Sequence, residues 1–462
     1  MRSTKFILVF TFCILLIKTG SGVPINNSPI TASGPAYFNT IETGSPEGLP
    51  YILPNCSSTA SGSVSFTSTG VFTSNTYTVQ LSSRSTNYAG SHFGNPITIG
   101  TLISDANSGT INITIPAGTN GGEYKIRIIS NSPAVIGSSS GPFIINGGYC
   151  QSENSDGFRS RVSGDWNDLN TWESSRTGAT WIPATRIPDH LATWIDIRAG
   201  YTVTITTSVD LSATTVSGTL KLLNGNGNNG HITVSGHSSV SYYSMIIWPG
   251  GVLQVVSSSA TYAEAITYNS NGNIIVDGGK ITIGDGSSTN ADGYSGFAVG
   301  PSQVVFSNGG VFEWNSSSVI GPVNDDIYFI YSTGHPTFRL TTMPPGSFGS
   351  DYALIVYGYL EVNTPVTFAG SAAKQFRDGI KGTSVITQAP GCGGLEILAP
   401  DAVLDGTITI NLSTGLHIFN GITLPGTAHV TIAGPCWSTG QFKLQTGAHL
   451  TLENGTILTI SN

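Results

Sequence analysis

The chain has 462 residues, more than one hydrophobic core usually organises, and this length predicts about two or three domains. Only 10% of residues are charged, the formal net charge is −8 and no basic stripe exists, which excludes a nucleic-acid partner. Gly, Ser, Thr and Asn abound, so solubility comes from hydroxyls and amides on many turns, the composition of an all-β protein.

Residues 1–22 carry a basic start (Arg2, Lys5), the apolar stretch "FILVFTFCILLI" and small residues before Val23, the layout of a cleavable secretory signal. Its loss removes Arg2, Lys5 and Lys18 and no acid, taking the net charge from −8 to −11. The apolar stretch is short for a bilayer span and no later segment is long enough, so a secreted or cell-surface protein without stable membrane insertion is expected. Cys13 leaves with the signal. Cys56, Cys150, Cys392 and Cys436 remain, an even set in an exported chain, and disulfides are permitted. Three pairings are open; Cys56–Cys150 with Cys392–Cys436 is favoured because each pair brackets one region. None of the four has CxxC or Cys/His spacing, so no metal is expected.

Residues 23–50 are rich in Pro, Asn, Ser, Thr and Gly without sustained alternation and read as a linker. Over residues 51–147 short alternating runs recur between turn signals: "GSVSF", "TYTVQL", "PITIG", "TINITIP", "EYKIRII" and "PFIIN". In "TINITIP" Ile111, Ile113 and Ile115 share one face and Asn112 and Thr114 the other, a half-buried antiparallel strand. The runs predict a β-sandwich. The stretches "YTVQLSS", "GTINITIPAG" and "GEYKIRIISNSPAVIG" resemble the immunoglobulin-like module of very large exported surface proteins of type IX-secreting bacteria. That resemblance implies a spacer or adhesive unit and brings no catalytic residue.

Residues 148–216 read as a linker and a Trp-rich cap. Trp166, Trp172, Trp181 and Trp194 crowd into this region of a chain with only seven tryptophans. Gly164, Trp166, Thr171, Trp172, Pro188, Ile195, Ile197, Gly200, Thr202 and Val203 match a GxW…TW…P…I.I..G.TVT stretch that opens a repetitive β region in the same surface proteins. From residue 217 to 462 the phrase Gly-x-φ-x-φ recurs between Gly/Asn turns, with hardly a helix visible. A parallel β-helix explains this economically, because each turn buries its inner row only by stacking on its neighbours; a second sandwich or a chain of small β-domains is the competing arrangement. The first turn of such a stack needs a cap, and four indoles suit it. A glycan-contact surface is the alternative for the same rings. The chain stops at "LTISN" in mid-rhythm, which predicts further chain or a partner at that end.

Three constellations bear on chemistry. "NDD" (Asn324, Asp325, Asp326), His335 and residues 377–382 ("RDGIKG") superficially resemble the Asp-pair, His and Arg/Lys set of polygalacturonase-like enzymes, but Pro336 follows His335 and the earlier Asn-Thr-Asp element is missing. Such chemistry needs two carboxylates converging across a scissile bond, and any three of Asp277, Asp285, Asp292, Asp325, Asp326, Asp351 and Asp378 in one groove would supply it. Asp277, Asp285, Asn290 and Asp292 are the best calcium ligands, although Asp beside Gly in a β repeat is mostly a turn former. His231 and His237 lack a carboxylate or Cys at metal spacing. No GxSxG, HExxH, P-loop or dinucleotide fingerprint is present, so neither a catalytic residue nor a cofactor is assigned. The expectation is a non-enzymatic, adhesin-like protein whose β-helix presents an extended polar face to glycans or surfaces. A polysaccharide hydrolase or lyase is the alternative, and a purely structural stalk segment the third.

Overall fold

A computed structural model describes residues 38–460 apart from 83–92, 94–95, 226–227, 237–242, 258–264, 270, 285–303, 317–334, 343–353 and 454. The leader of residues 1–22 lies outside the described residues. The described chain is β in character, interrupted by one single-turn 3-10 helix, Leu169–Thr171. Its two halves pair their strands by opposite rules.

In the first half most pairings are antiparallel. Strand Ser108–Ile115 runs against Ala60–Thr69, which runs against Thr40–Glu47. A four-stranded sheet orders Ile97–Ile103, Thr76–Leu81, Ile126–Asn131 and Ala134–Ser139. A smaller sheet joins Tyr51–Leu53, Phe143–Gly147 and Gly122–Tyr124. Ile111, Ile113 and Ile115 point into one shared core while Asn112 and Thr114 face water, as the alternation requires. Strand Thr40–Glu47 falls within the residues expected to be a linker. Its register shifts between Thr43 and Pro46, which breaks the alternation that would have revealed it. Cys56 and Cys150 form a disulfide that closes this half.

From Gly157 onward most pairings are parallel, the antiparallel exceptions being Gly157–Ser160 with Trp172–Ser175, Trp172–Ser175 with Ile182–Pro183, and Thr219–Gly225 with Asn228–Asn229. Trp194–Ile197 pairs in parallel with Thr214–Val216, which pairs with Met245–Ile247, and the series continues through Ile274–Asp277 to Val304–Ser307. A second series forms a sheet of 17 strands among the described residues. Parallel pairing in register puts like positions above one another, so Val203, Leu220, Leu253, Ile281, Phe312, Phe338, Leu360, Ile380 and Leu404 make a single buried column. Each such side chain contributes roughly 1.5–3 kcal/mol of gross burial energy, and none has a core without its neighbours. Long parallel-strand sheets of this kind are compatible with a β-helix. The stacking already begins at strand Gly157–Ser160, inside residues 148–216, so this segment supplies strands to the stack as well as tryptophans.

The two halves meet around Asn120. Its side-chain oxygen accepts from the backbone amides of Cys150 (2.7 Å) and Gln151 (2.8 Å), and its amide donates to the Gln151 carbonyl. Arg176 of the stacked half reaches back to Glu153 at 2.6 Å and to the Gly121 carbonyl at 3.3 Å.

Candidate functional site

The outward positions of the 17-strand sheet carry a charged row that follows directly from the register. Thr282, Glu313, Arg339, Glu361, Lys381 and Asp405 are successive partners on adjacent strands. Glu313, Arg339 and Glu361 lie between inward apolar neighbours in "FEW", "FRL" and "LEV", and Lys381 and Asp405 each follow one, Ile380 and Leu404, so the pleat that buries the column fixes the row on the opposite face. Adjacent rungs are about 4.8 Å apart, and opposite charges therefore touch. Lys280 Nζ is 2.5 Å from Glu313 Oε2; Arg339 donates to both Glu361 oxygens at 2.8 and 3.1 Å and lies 3.9 Å from Glu313; Lys381 lies 3.8 Å from Glu361.

Burial alone would push the Glu361 carboxyl up, but hydrogen bonds from Arg339 and Asn363 and the charges of Arg339 and Lys381 hold it below its ordinary value. Glu313 behaves likewise: burial opposes ionisation, and Lys280, Thr282 and Thr341 overcome it. Burial lowers Lys381 against the pull of Glu361. The row is thus an internally neutralised network that locks neighbouring rungs together. Neither glutamate is suited to donate a proton at neutral pH, because a general acid needs a raised value.

Where the row meets the turns, His335 and Asp378 come together. Asp378 is buried and precedes strand Gly379–Gly382; His335 precedes strand Thr337–Thr342 and is the more exposed partner. His335 Nδ1 is 3.0 Å from Asp378 Oδ2, and His335 has a φ of +54°, a left-handed conformation uncommon outside glycine. The Tyr359 ring is 6.0 Å from the imidazole, and Lys381 Nζ sits 4.7 Å over that ring while bonding Thr337 Oγ1 at 3.1 Å. Burial, then the charges of Asp378 and Asp401, raise the Tyr359 phenol. An imidazole held against a buried carboxylate in this way is an arrangement that orients a general base. Sequence reading had picked out both His335 and residues 377–382; the fold joins them. Asn324, Asp325 and Asp326 lie outside the described residues.

The four tryptophans divide into two pairs. Trp166 and Trp172 are buried in the core of the stacked half, edge to face at 4.8 Å. Trp172 Nε1 donates to the Trp166 carbonyl at 2.8 Å and Trp166 Nε1 to the Pro188 carbonyl at 3.2 Å, which satisfies both indoles. Trp181 and Trp194 are half-buried, edge to face at 6.5 Å, and the Arg159 guanidinium lies 3.7 Å over the Trp181 ring.

Cys392 and Cys436 are free, buried thiols, which corrects the second disulfide pairing. Leu395, three residues past Cys392, pairs with Leu416, and Leu416 pairs with Cys436. Two rungs make roughly 9–10 Å, beyond the reach of a disulfide. Asp277 ends strand Ile274–Asp277 and accepts from Ser307 and Asn308 on the next rung and its turn; Asp285, Asn290 and Asp292 lie outside the described residues. Four rungs, roughly 19 Å, separate the strand after Asp277 from the strand after Asp378, too far for a pair acting on one glycosidic bond. His231 Nε2 lies 3.2 Å from Thr267 Oγ1, and His237 is outside the described residues. Among the described residues no group of three His, Cys, Asp or Glu side chains gathers as a metal site.

Two features escaped sequence reading. The charged row was signalled in part by the charged centres of "FEW", "FRL" and "LEV", but aligning the phrases requires the register. A cluster of the exposed Phe419 and Trp437 with the half-buried His417 on another sheet carried no sequence signal beyond scattered aromatics. No protein family, curated protein or solved structure matches the chain.

Proposed function

We propose that the chain is an exported surface or matrix protein, an immunoglobulin-like β-sandwich carrying a parallel β-helix whose flank holds polysaccharide. The observation that supports this reading is the long stack of in-register strands with an outward polar row whose charges are already paired with one another. Such a flank offers many shallow contacts spread over successive rungs and favours an extended ligand. The signal-like residues 1–22 and the disulfide agree with an oxidising, exported setting. The test is retention of the full chain on a panel of immobilised neutral, acidic and basic polysaccharides, with cell fractionation alongside. Saturable retention on one class and recovery outside the cytoplasm support the reading; no retention on any refutes it.

The His335–Asp378 pair favours a second reading, a polysaccharide-cleaving enzyme on the same scaffold. Release of new reducing ends from the same panel, abolished by His335→Ala, would replace the binding role with this one.

A further inference from the structure

The aromatic cluster lies on a different face from the charged row, on the six-stranded sheet that contains Lys374–Phe376, Leu395–Ile397, Leu416–Ile418 and Cys436–Ser438. Register places Gln375, Glu396, His417 and Trp437 one above another on successive rungs of its outward side. Trp437 is 40% exposed and Phe419 44% exposed. Exposure of a lone aromatic is ordinary; these rings are held. A Cβ at Gly415 would run into the six-membered ring of Trp437, so the glycine, at φ +105°, is what lets the indole lie over the backbone. His417 braces the indole edge on, with ring centroids 4.6 Å apart. One side of the indole is thereby fixed by protein. In contrast to Trp181, whose ring carries the Arg159 guanidinium, no cation lies over Trp437 among the described residues. Beyond the imidazole stands a hydrogen-bonded amide and carboxylate, Gln375 Nε2 donating to Glu396 Oε2 at 2.7 Å.

We propose that this row is a binding platform for a neutral polysaccharide strand, lying along the stack with a pyranose ring on Trp437 and hydroxyls on Glu396 and Gln375. The proposal rests on the polysaccharide-binding reading above and gives it an address. An indole offers a broad apolar face to the C–H face of a sugar ring, and a preorganised ring loses little entropy on binding. The rung spacing of about 4.8 Å is comparable with the length of one pyranose, so consecutive sugars meet consecutive rungs. Charge selects the class. Glu396 stands in the row and the chain as a whole carries −8, which disfavours a uronate polymer, and the indole face of Trp437 carries no charge and suits the apolar face of a neutral sugar.

The test is calorimetric titration of the full chain with cellohexaose and chitohexaose, with a polygalacturonate oligomer as the acidic comparison. Trp437→Ala is expected to weaken binding of the neutral ligand about tenfold or more, and Trp437→Phe less, because the ring face is kept. Gly415→Ala, whose added methyl displaces the indole, is expected to follow Trp437→Ala. Trp181→Ala is expected to leave the affinity unchanged, and unaltered circular-dichroism melting of all variants shows that the fold is intact. If the chain binds a neutral glycan equally well after Trp437→Ala, or if Trp181→Ala is the damaging change, the platform is refuted and the broader reading survives. Preference for the polygalacturonate refutes the assigned ligand class. No binding of either neutral oligomer by the parent chain refutes the platform, and the broader reading falls with it only if the polysaccharide panel fails as well.

Discussion

Replacing Arg339 by Met keeps most of the stem's volume and removes the central cation of the charged row. Arg339 is 30% exposed, Glu361 15% and Glu313 10%, so the site is neither surface nor interior. Breaking a fully buried pair costs about 3–5 kcal/mol and an exposed one about 0–1 kcal/mol. Here Glu361 keeps Lys381 and Asn363, and Glu313 keeps Lys280, Thr282 and Thr341, which places the expected loss at about 2 kcal/mol. Because stacked rungs contact only their neighbours, the loss stays local. Amide hydrogen exchange should therefore speed up about thirtyfold in strands Val311–Asn315, Thr337–Thr342 and Tyr359–Val362 and not at all in Thr76–Leu81. Glu313 and Glu361 have depressed values in the folded chain, so the stability they contribute is complete above the ordinary glutamate value and is lost as pH falls through the depressed ones. The gap between parent and Arg339→Met should thus close below about pH 4. A gap of the same size at acid pH, or exchange that speeds up evenly along the chain, would refute the network as the cause.

Three further outcomes follow from the packing. Trp172→Ala should lower the stability of the stacked half by about 3–5 kcal/mol, read by urea denaturation, since it empties a fully buried indole site and removes the hydrogen bond to Trp166. Replacing Cys56 and Cys150 by Ser opens a link with a sequence separation of 94 and should cost the antiparallel first half about 4–5 kcal/mol on the chain-entropy argument, visible as early proteolysis before Cys150 while the stacked half resists. Cys392 and Cys436 should escape iodoacetamide in the native chain and react in urea, as followed by intact mass; burial pushes the Cys436 thiol up to about 12 and raises Cys392 as well, so little thiolate forms.

The all-β character was legible because alternation with Gly and Asn turns has a period of two that survives without tertiary information, as in "TINITIP". Strand Thr40–Glu47 was not, since its bulge erases that period. Among the site candidates, His335 and residues 377–382 stood out by residue type alone, yet nothing in the sequence says that a residue and its partner 43 positions later meet at hydrogen-bonding distance. Trp166 and Trp172 suited a plug by size and by their N–H groups, whereas the half-exposure of Trp181 and Trp194 depends on which strands flank them.

By itself the sequence determined which residues turn inward on each strand and that successive phrases need one another for a core, because both follow from side-chain alternation. Only the tertiary structure decided which phrase stacks on which. The spacing between stacked partners varies, from 33 residues for Leu220 and Leu253 to 17 for Val203 and Leu220, and parallel hydrogen bonding converts those unequal separations into one constant rung. That conversion aligns the opposite charges, keeps Cys436 out of reach of Cys392 and sets Trp437 beside His417, none of which distance along the chain encodes.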